Sequence, residues 1–100
     1  MRASFHGENH TPTINKKWHY SVLATDTSGR PLSGTVDTEF VYGGQVVGRE
    51  TPPTHPLRNG RLNDDVTFPP QSLGIQLSVR VVVHTRLGTV TLDWPVRSRK

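Results

Sequence analysis

The sequence contains no cysteine and no long hydrophobic run among its 100 residues. The absence of cysteine excludes a disulfide scaffold, a cysteine-based zinc site and a thiol nucleophile. No stretch approaches the roughly 20 apolar residues that a helix needs to cross a bilayer, so we expect no membrane partner. The first twenty residues also lack the apolar core of a signal peptide, and we expect no secretory signal.

Long helical patterns are missing as well. Nine glycines and eight prolines separate short segments in which apolar and polar residues alternate, which is the pattern of half-buried β-strands. We count about seven short strands in about 82 residues, a spacing typical of a β-sandwich, with a small barrel as the alternative. The alternation is clearest over residues 17–24, 36–42, 45–50, 62–68, 75–84 and 90–97.

Glycine and proline positions predict how these strands are connected. Gly43–Gly44 lies between two apolar runs and predicts a two-residue hairpin turn, and Asn59–Gly60 is a second hairpin signal. Residues 51–56 contain three prolines, which remove backbone donors, so we expect an extended crossover at a sheet edge there. Pro95 places the last strand near an edge or a bulge, and Gly48 indicates a bulge in the third strand.

Residues 1–15 differ from the rest of the chain because polar and turn-forming residues dominate and no regular period is present. Such a segment cannot bury enough apolar surface to offset its ordering entropy. We therefore expect a flexible, extended N-terminal arm over 1–15, a sandwich over 16–97 and a basic tail over 98–100. Phe5 and Ile14 are the apolar anchors of the arm, either for a partner or for the chain's own domain.

The segment 26–36, which reads DTSGRPLSGTV, resembles the turn that joins the first two strands of bacterial Ig-like domains. The stretch from Trp18 to Arg97 is similar to small stand-alone Ig-like proteins encoded by tailed phages of actinobacteria. Two segments carry this similarity, namely FVYGGQVVG at 40–48 and LGTVTLDWPV at 87–96. The resemblance implies an Ig-like antiparallel β-sandwich, and it carries over no functional residues.

Ig-like domains of tailed phages commonly decorate the capsid or the tail, or bind cell-surface sugars. The resemblance therefore implies a non-enzymatic virion accessory protein, made in the host cytoplasm, that docks on the assembled shell as a capsid decoration protein. Its partner would be the major capsid protein or another virion protein, with self-association on the particle as a further expectation. The first alternative is a module that binds host surface glycans, which requires Trp18, Tyr42 or Trp94 on an outer face.

The net charge of +4 raises a second alternative, a nucleic-acid-associated protein. Lys16 and Lys17 precede the first predicted strand, and Arg97, Arg99 and Lys100 end the chain, so the rest of the sequence is nearly balanced. Proteins that bind single strands interleave exposed aromatic residues with basic ones, whereas the tryptophans here lie on faces assigned to the core. We therefore favour an acidic protein surface as the partner. The predicted partner-binding residues are Phe5, Ile14, Lys16, Lys17, Arg97, Arg99 and Lys100.

Metal and catalytic motifs are weak. His6, Glu8 and His10 alternate, as zinc ligands on one side of a strand would, but the arm has little to hold that geometry. Asp64 and Asp65 are expected to be an exposed acidic pair on opposite faces of a strand. No Gly-x-Ser-x-Gly elbow is present, and a sandwich of this size leaves little room for a catalytic cleft. The sequence therefore predicts no enzyme, no cofactor and no metal.

Overall fold

Seven β-strands form two antiparallel sheets in the computed structural model, which describes all 100 residues. One sheet has three strands in the order β1-β2-β5, and the other has four in the order β4-β3-β6-β7. This arrangement confirms the predicted all-β sandwich. The strands are β1 (Arg2–Gly7), β2 (Lys17–Thr25), β3 (Gly34–Tyr42), β4 (Gln45–Leu57), β5 (Arg61–Thr67), β6 (Gln76–Thr85) and β7 (Gly88–Arg97), with one short 3-10 turn at Pro70–Ser72.

The core lies between the sheets and follows the predicted alternation. In β2 every second side chain, from Trp18 to Ala24, is buried, and these side chains meet the valines that alternate along β6. Phe68, which follows β5, packs edge-on against the rings of Trp18 and Phe40, both at 5.7 Å between ring centroids. Because no disulfide is present, this packing holds the two sheets together, while the backbone ladders join the strands within each sheet.

The two glycine-containing turns have the predicted backbone but different roles. Gly43 and Gly44 have φ angles of 58° and 81° and close the β3–β4 hairpin, as expected. Asn59 and Gly60 also have positive φ angles, of 52° and 74°. They join β4 to β5, however, and β5 pairs with β2 in the other sheet. Arg58 and Arg61 form an antiparallel bridge across this turn, with backbone hydrogen bonds of 3.1 and 3.0 Å, so the predicted two-residue hairpin turn is confirmed. The pairing stops at this bridge, and the chain passes from one sheet to the other.

The proline-rich segment extends β4 instead of ending it. β4 runs over 13 residues along the edge of its sheet, so prolines that cannot donate are tolerated there. Its pairing with β3 shifts between Phe40 and Val41, which lie opposite Gly48 and Val46. Val47 is thus an extra residue, and the bulge predicted from Gly48 is confirmed. β7, which contains Pro95, is the other edge strand of this sheet, also as predicted.

The expected flexible arm over residues 1–15 is instead part of the sandwich. Residues 2–7 form β1, which pairs with β2 from Arg2 opposite Thr25 to Gly7 opposite Tyr20. The following segment runs beside the chain's end, where the Arg99 N–H donates to the Pro12 carbonyl at 2.9 Å. The ladder satisfies the backbone of β1, and its inward residues Met1, Ala3 and Phe5 pack on the core. The boundary predicted at residue 16 therefore does not separate an arm from the fold.

None of the helical structure in this chain has the length and apolar character required to span a membrane.

Candidate functional site

The five predicted basic residues, Lys16, Lys17, Arg97, Arg99 and Lys100, lie at one end of the sandwich, which we call the tail pole. Thr13 forms a parallel bridge with Arg99, and the Lys16 N–H donates to the Thr13 carbonyl at 3.3 Å. The tail thus runs directly beside the segment that enters β2. The structure therefore brings together two basic clusters that are more than eighty positions apart in the sequence.

These five cations have no acidic partner. All five are exposed, and every salt bridge of the chain involves other residues. The Arg97 Nη1 donates to the Gly74 carbonyl at 3.2 Å, a contact that leaves its charge unneutralised. The tail pole thus presents five positive side chains to an approaching partner.

An apolar cavity of about 290 Å³ opens at the tail pole. The bulge in β4 brings Val47 to its rim, where 59% of this residue is exposed, and Ile75 contributes from the chain just before β6. The Asn15 N–H donates to the Phe68 carbonyl at 2.8 Å, so the cavity wall is bonded to the segment that carries Lys16. The cavity is lined by Phe40, Val47, Gly48, Phe68, Pro69, Gln71, Ser72, Ile75 and Leu77.

One aromatic residue is exposed to solvent. Tyr42, at the end of β3, is 56% exposed, whereas Trp18 is buried. Trp94 is half-buried, and the ring of His10 stacks on it at 4.2 Å between centroids. Of the three aromatic residues on which a sugar ring was expected to stack, Tyr42 is therefore the one that the fold leaves free.

The two apolar anchors of the expected arm are placed differently. The Phe5 ring packs edge-on against Tyr20 at 5.5 Å between centroids, so Phe5 is used inside its own domain and not as an anchor for a partner. Ile14 is half-buried, and its N–H donates to the Arg99 carbonyl at 2.9 Å. Ile14 therefore lies within the tail pole beside the basic residues.

The opposite end of the sandwich is also basic, which sequence reasoning missed. Its arginines lie far apart in the sequence, in strand ends and turns that the fold brings to one end, and Asp26 is the acidic residue among them. Most carboxylates lie between the two ends, where the chain also has Arg49 and Arg80. The middle of the sequence, whose charges nearly cancel, is thus divided by the fold into an acidic central zone and a second basic pole. The arginines of this second pole are Arg2, Arg30, Arg58, Arg61 and Arg86.

A second polar site lies between the sheets, at the edge formed by β4 and β5. The Tyr20 hydroxyl oxygen is 2.8 Å from Thr38 Oγ1, 3.0 Å from Glu50 Oε2 and 3.1 Å from Asp64 Oδ2. The Nε2 atom of His55 is 3.1 Å from the same Glu50 oxygen and 3.3 Å from the same Asp64 oxygen. Two carboxyl groups, one imidazole and two hydroxyls therefore converge, and we call this group the edge cluster.

Burial sets the protonation of the edge cluster. Burial, with the carboxylate of Asp64 beside it, raises the pKa of Glu50 to about 8. Burial also raises the pKa of the Tyr20 hydroxyl far above its usual value, so this group stays neutral. Burial opposes ionisation of Asp64 too, but hydrogen bonds from Glu50 and from the Asp65 backbone hold the pKa of Asp64 below its usual value. At neutral pH, Glu50 and Asp64 thus hold one proton between them.

His55 lacks a hydrogen-bond partner despite its close neighbours. Its Nε2 atom is shielded from solvent, but neither carboxylate oxygen lies at the angle of a hydrogen bond, so the atom is unsatisfied. The ligand atoms of Glu50, His55 and Asp64 all lie within 4.8 Å of one another. No spacing motif in the sequence predicts this set of three residues, because their side chains meet only where β4 packs beside β5.

The two patterns of possible metal ligands in the sequence, at residues 6–10 and 64–65, make different contacts in the structure. The rings of His6 and His10 both pack on Trp94, at 5.2 and 4.2 Å between centroids, whereas the Glu8 carboxylate accepts the His19 N–H at 3.1 Å, so the three side chains do not form one ligand set. Asp64 and Asp65 do face opposite ways, and Asp65 pairs with His19 on the outer face. The expectation of an exposed pair is wrong for Asp64, because in the alternation of β5 it shares the inward face with Leu62 and Val66 and so points into the edge cluster.

No protein-family model and no curated protein matches the chain. Among solved structures, a crystal structure of an engineered protein from the Northeast Structural Genomics Consortium is similar, with a TM-score of 0.63 and 16% sequence identity. The match covers 99% of this chain and 20% of that protein, so the chain spans about one fifth of its length. At this identity the similarity supports the fold alone.

Proposed function

We propose that the chain is a non-enzymatic virion accessory protein that docks through its tail pole, as a decoration protein, on the assembled capsid of a tailed phage. The observation that carries the docking part is the convergence of five unpaired cations around an apolar cavity. The virion setting rests on the resemblance of residues 18–97 to stand-alone Ig-like phage proteins. Together they favour adhesion to a protein surface over catalysis.

The chemistry of the tail pole defines the partner surface. Unpaired basic residues favour an acidic surface and accelerate encounter with it. The cavity offers space for an apolar side chain, and burial of such a side chain supplies the affinity that exposed charges alone do not. We therefore expect the capsid surface to present an apolar residue flanked by acidic ones. The molecule extends 42 Å along its long axis and 23 and 21 Å along the other two. The long axis would then be perpendicular to the shell, with the second basic pole facing outward.

The test is co-purification of the protein with particles. The proposal expects it in purified virions at a fixed ratio to the major capsid protein, and expects release as salt is raised, because exposed charges are screened. Absence from purified particles would overturn the virion assignment. Binding that is unchanged between low and high salt would overturn the role of the basic residues.

A second candidate function, binding of host surface glycans, has one observation in its favour. Tyr42 is exposed at the end of β3, and exposed tyrosine rings can stack on sugar rings. This candidate expects Tyr42→Ala to abolish binding to host cell-wall glycans while binding to particles is retained. Equal glycan binding by wild type and variant, or none by either, would remove it.

Nucleic acid is the third candidate, and the second basic pole is the observation that favours it. Arginines at both ends of the molecule would let it contact phosphates twice. This candidate expects retention on DNA with a steep salt dependence. Elution from DNA at low salt would remove it.

A further inference from the structure

The edge cluster is the strongest feature of the molecule that the proposed docking function does not use. We propose that Glu50, His55 and Asp64 form a binding site for a zinc ion that joins β4 to β5. Glu50 and His55 come from the edge strand of the four-stranded sheet, and Asp64 comes from the edge strand of the three-stranded sheet. The site is independent of the tail pole, and its test is independent of whether the protein binds capsids.

The distances between the ligand atoms fit a tetrahedral ion. Zinc binds imidazole nitrogen and carboxylate oxygen at about 2.0–2.2 Å, and tetrahedral angles then place neighbouring ligand atoms roughly 3.3–3.5 Å apart. The Nε2 atom of His55 is 3.1 Å from Glu50 Oε2 and 3.3 Å from Asp64 Oδ2. Both distances from His55 are therefore close to those that a zinc ion requires, and all three ligand atoms lie within 4.8 Å of one another.

The unsatisfied nitrogen of His55 points independently to a ligand. A buried polar atom without a partner loses the bonds that it would make to water, which costs about 1–3 kcal/mol. The two carboxylate oxygens are near enough to Nε2 but lie at the wrong angle to bond with it. A cation held among the three atoms would accept the lone pair of Nε2 and leave no atom of the set unsatisfied.

The donor set favours zinc over the common alkaline-earth cations. Calcium takes six to eight oxygen ligands and magnesium keeps an octahedral shell of oxygens, whereas zinc accepts imidazole nitrogen and carboxylate oxygen together in a four-coordinate set. Tyr20 Oη, which lies 3.0 Å from Glu50 Oε2 and 3.1 Å from Asp64 Oδ2, is the neutral oxygen nearest to a fourth position. A polar cavity of about 340 Å³ borders the site at Glu50.

The consequence of zinc binding would be a link across the open edge of the sandwich. β4 and β5 are consecutive in the chain but lie in different sheets, and no ladder of backbone hydrogen bonds joins them. A bound ion stabilises the folded state in proportion to its affinity, because the unfolded chain does not preform the site. Zinc would thus cross-link the two sheets in a chain that has no cysteine with which to form a disulfide.

The experiment uses the full chain without a histidine tag, stripped with EDTA, and titrated with ZnCl₂ by calorimetry. Wild type is expected to bind one zinc ion per chain and to melt at a higher temperature once loaded. His55→Ala is expected to weaken binding by more than about 100-fold, since even a residue behind a ligand contributes 10–100-fold. The matched control is His19→Ala, which removes an exposed histidine that also lies beside an aspartate and should leave binding unchanged.

A second variant and a second metal keep the test decisive if His55→Ala does not fold. Glu50→Gln retains a side chain that can hydrogen-bond to Asp64 but loses a carboxylate ligand, so it should fold and bind zinc weakly. Co²⁺ should give the visible bands of a tetrahedral site in wild type and not in Glu50→Gln. The proposal is overturned if wild type binds no zinc, if both cluster variants bind it as wild type does, or if Ca²⁺ binds as tightly.

Discussion

Thr13 and Arg99 pair through a parallel bridge, and this pairing puts the entry to β2 beside the end of the chain. The bridge consists of two hydrogen bonds, one from the Arg99 N–H to the Pro12 carbonyl and one from the Ile14 N–H to the Arg99 carbonyl, both at 2.9 Å. It converts two separate basic segments into the tail pole, with the apolar cavity next to them. The proposed docking function depends on this relationship more than on any single side chain.

The placement of β1 can be tested with glycine variants. A Cβ atom added at Gly7 would lie 2.6 Å from Trp18 Cη2 and 2.6 Å from Trp94 Nε1, so Gly7→Ala should lower the free energy of unfolding by about 1–3 kcal/mol through overpacking. At Gly48 the nearest atom is Phe40 Cδ2 at 3.7 Å, which makes Gly48→Ala the matched control with little effect. Urea unfolding measures both. Equal stability of Gly7→Ala and wild type would mean that β1 is not docked.

The edge cluster predicts an unusual pH dependence of stability in metal-free protein kept in EDTA. The pKa of Glu50 is raised from its ordinary 4.5 to about 8, so the folded state holds a proton that the unfolded state releases. The free energy of unfolding should therefore fall as the pH rises from about 4.5 to about 8. The neighbours that face Glu50 are Tyr20 from β2, Thr38 from β3, His55 from β4 and Asp64 from β5.

The measurement is urea unfolding across this pH range for wild type and Glu50→Gln. The variant should show a flatter profile, because glutamine does not titrate. Glu8→Gln, which changes an exposed carboxylate, should keep the wild-type slope. A wild-type profile that rises with pH over the same range would contradict the protonation assigned to Glu50.

The apolar cavity should contribute to docking without contributing to stability. Val47 is 59% exposed at its rim, so Val47→Ser should change the free energy of unfolding by no more than about 0.5 kcal/mol. The same variant should weaken particle binding by about tenfold or more, as expected for an apolar anchor at an interface. Leu87→Ser, an exposed leucine in the turn at the other end, is the control. Equal loss of particle binding in both variants would remove the cavity from the docking surface.

The sequence pattern was sufficient for elements whose two faces differ strongly. The alternation from Trp18 to Ala24 and the strands β6 and β7 could be predicted because branched or aromatic side chains mark every inward position except Ala24. β1 was missed because its inward residues include Ala3 and Gly7, whose small side chains give little contrast. The second half of β4 was expected to be extended at a sheet edge but not to pair as a strand, because prolines within a strand are tolerated only at an edge.

The sites were predictable in part. The five basic residues could be chosen from their clustering near the ends of the chain, but their meeting depends on the Thr13–Arg99 bridge, which no local pattern encodes. The second basic pole and the edge cluster consist of residues scattered along the sequence, and they exist because strands of two sheets end or pack together. When residues meet across two sheets, their spacing in the sequence does not indicate that they lie close together.

The most direct test of the docking account is sedimentation of the purified protein with capsids that lack it. We compare Lys16→Glu/Lys17→Glu at the tail pole with Arg58→Glu/Arg61→Glu at the opposite pole, since the two variants change net charge equally. If docking takes place through the tail pole, wild type and the opposite-pole variant sediment with capsids while the tail-pole variant stays in the supernatant. Sedimentation of the tail-pole variant at the wild-type level would contradict it.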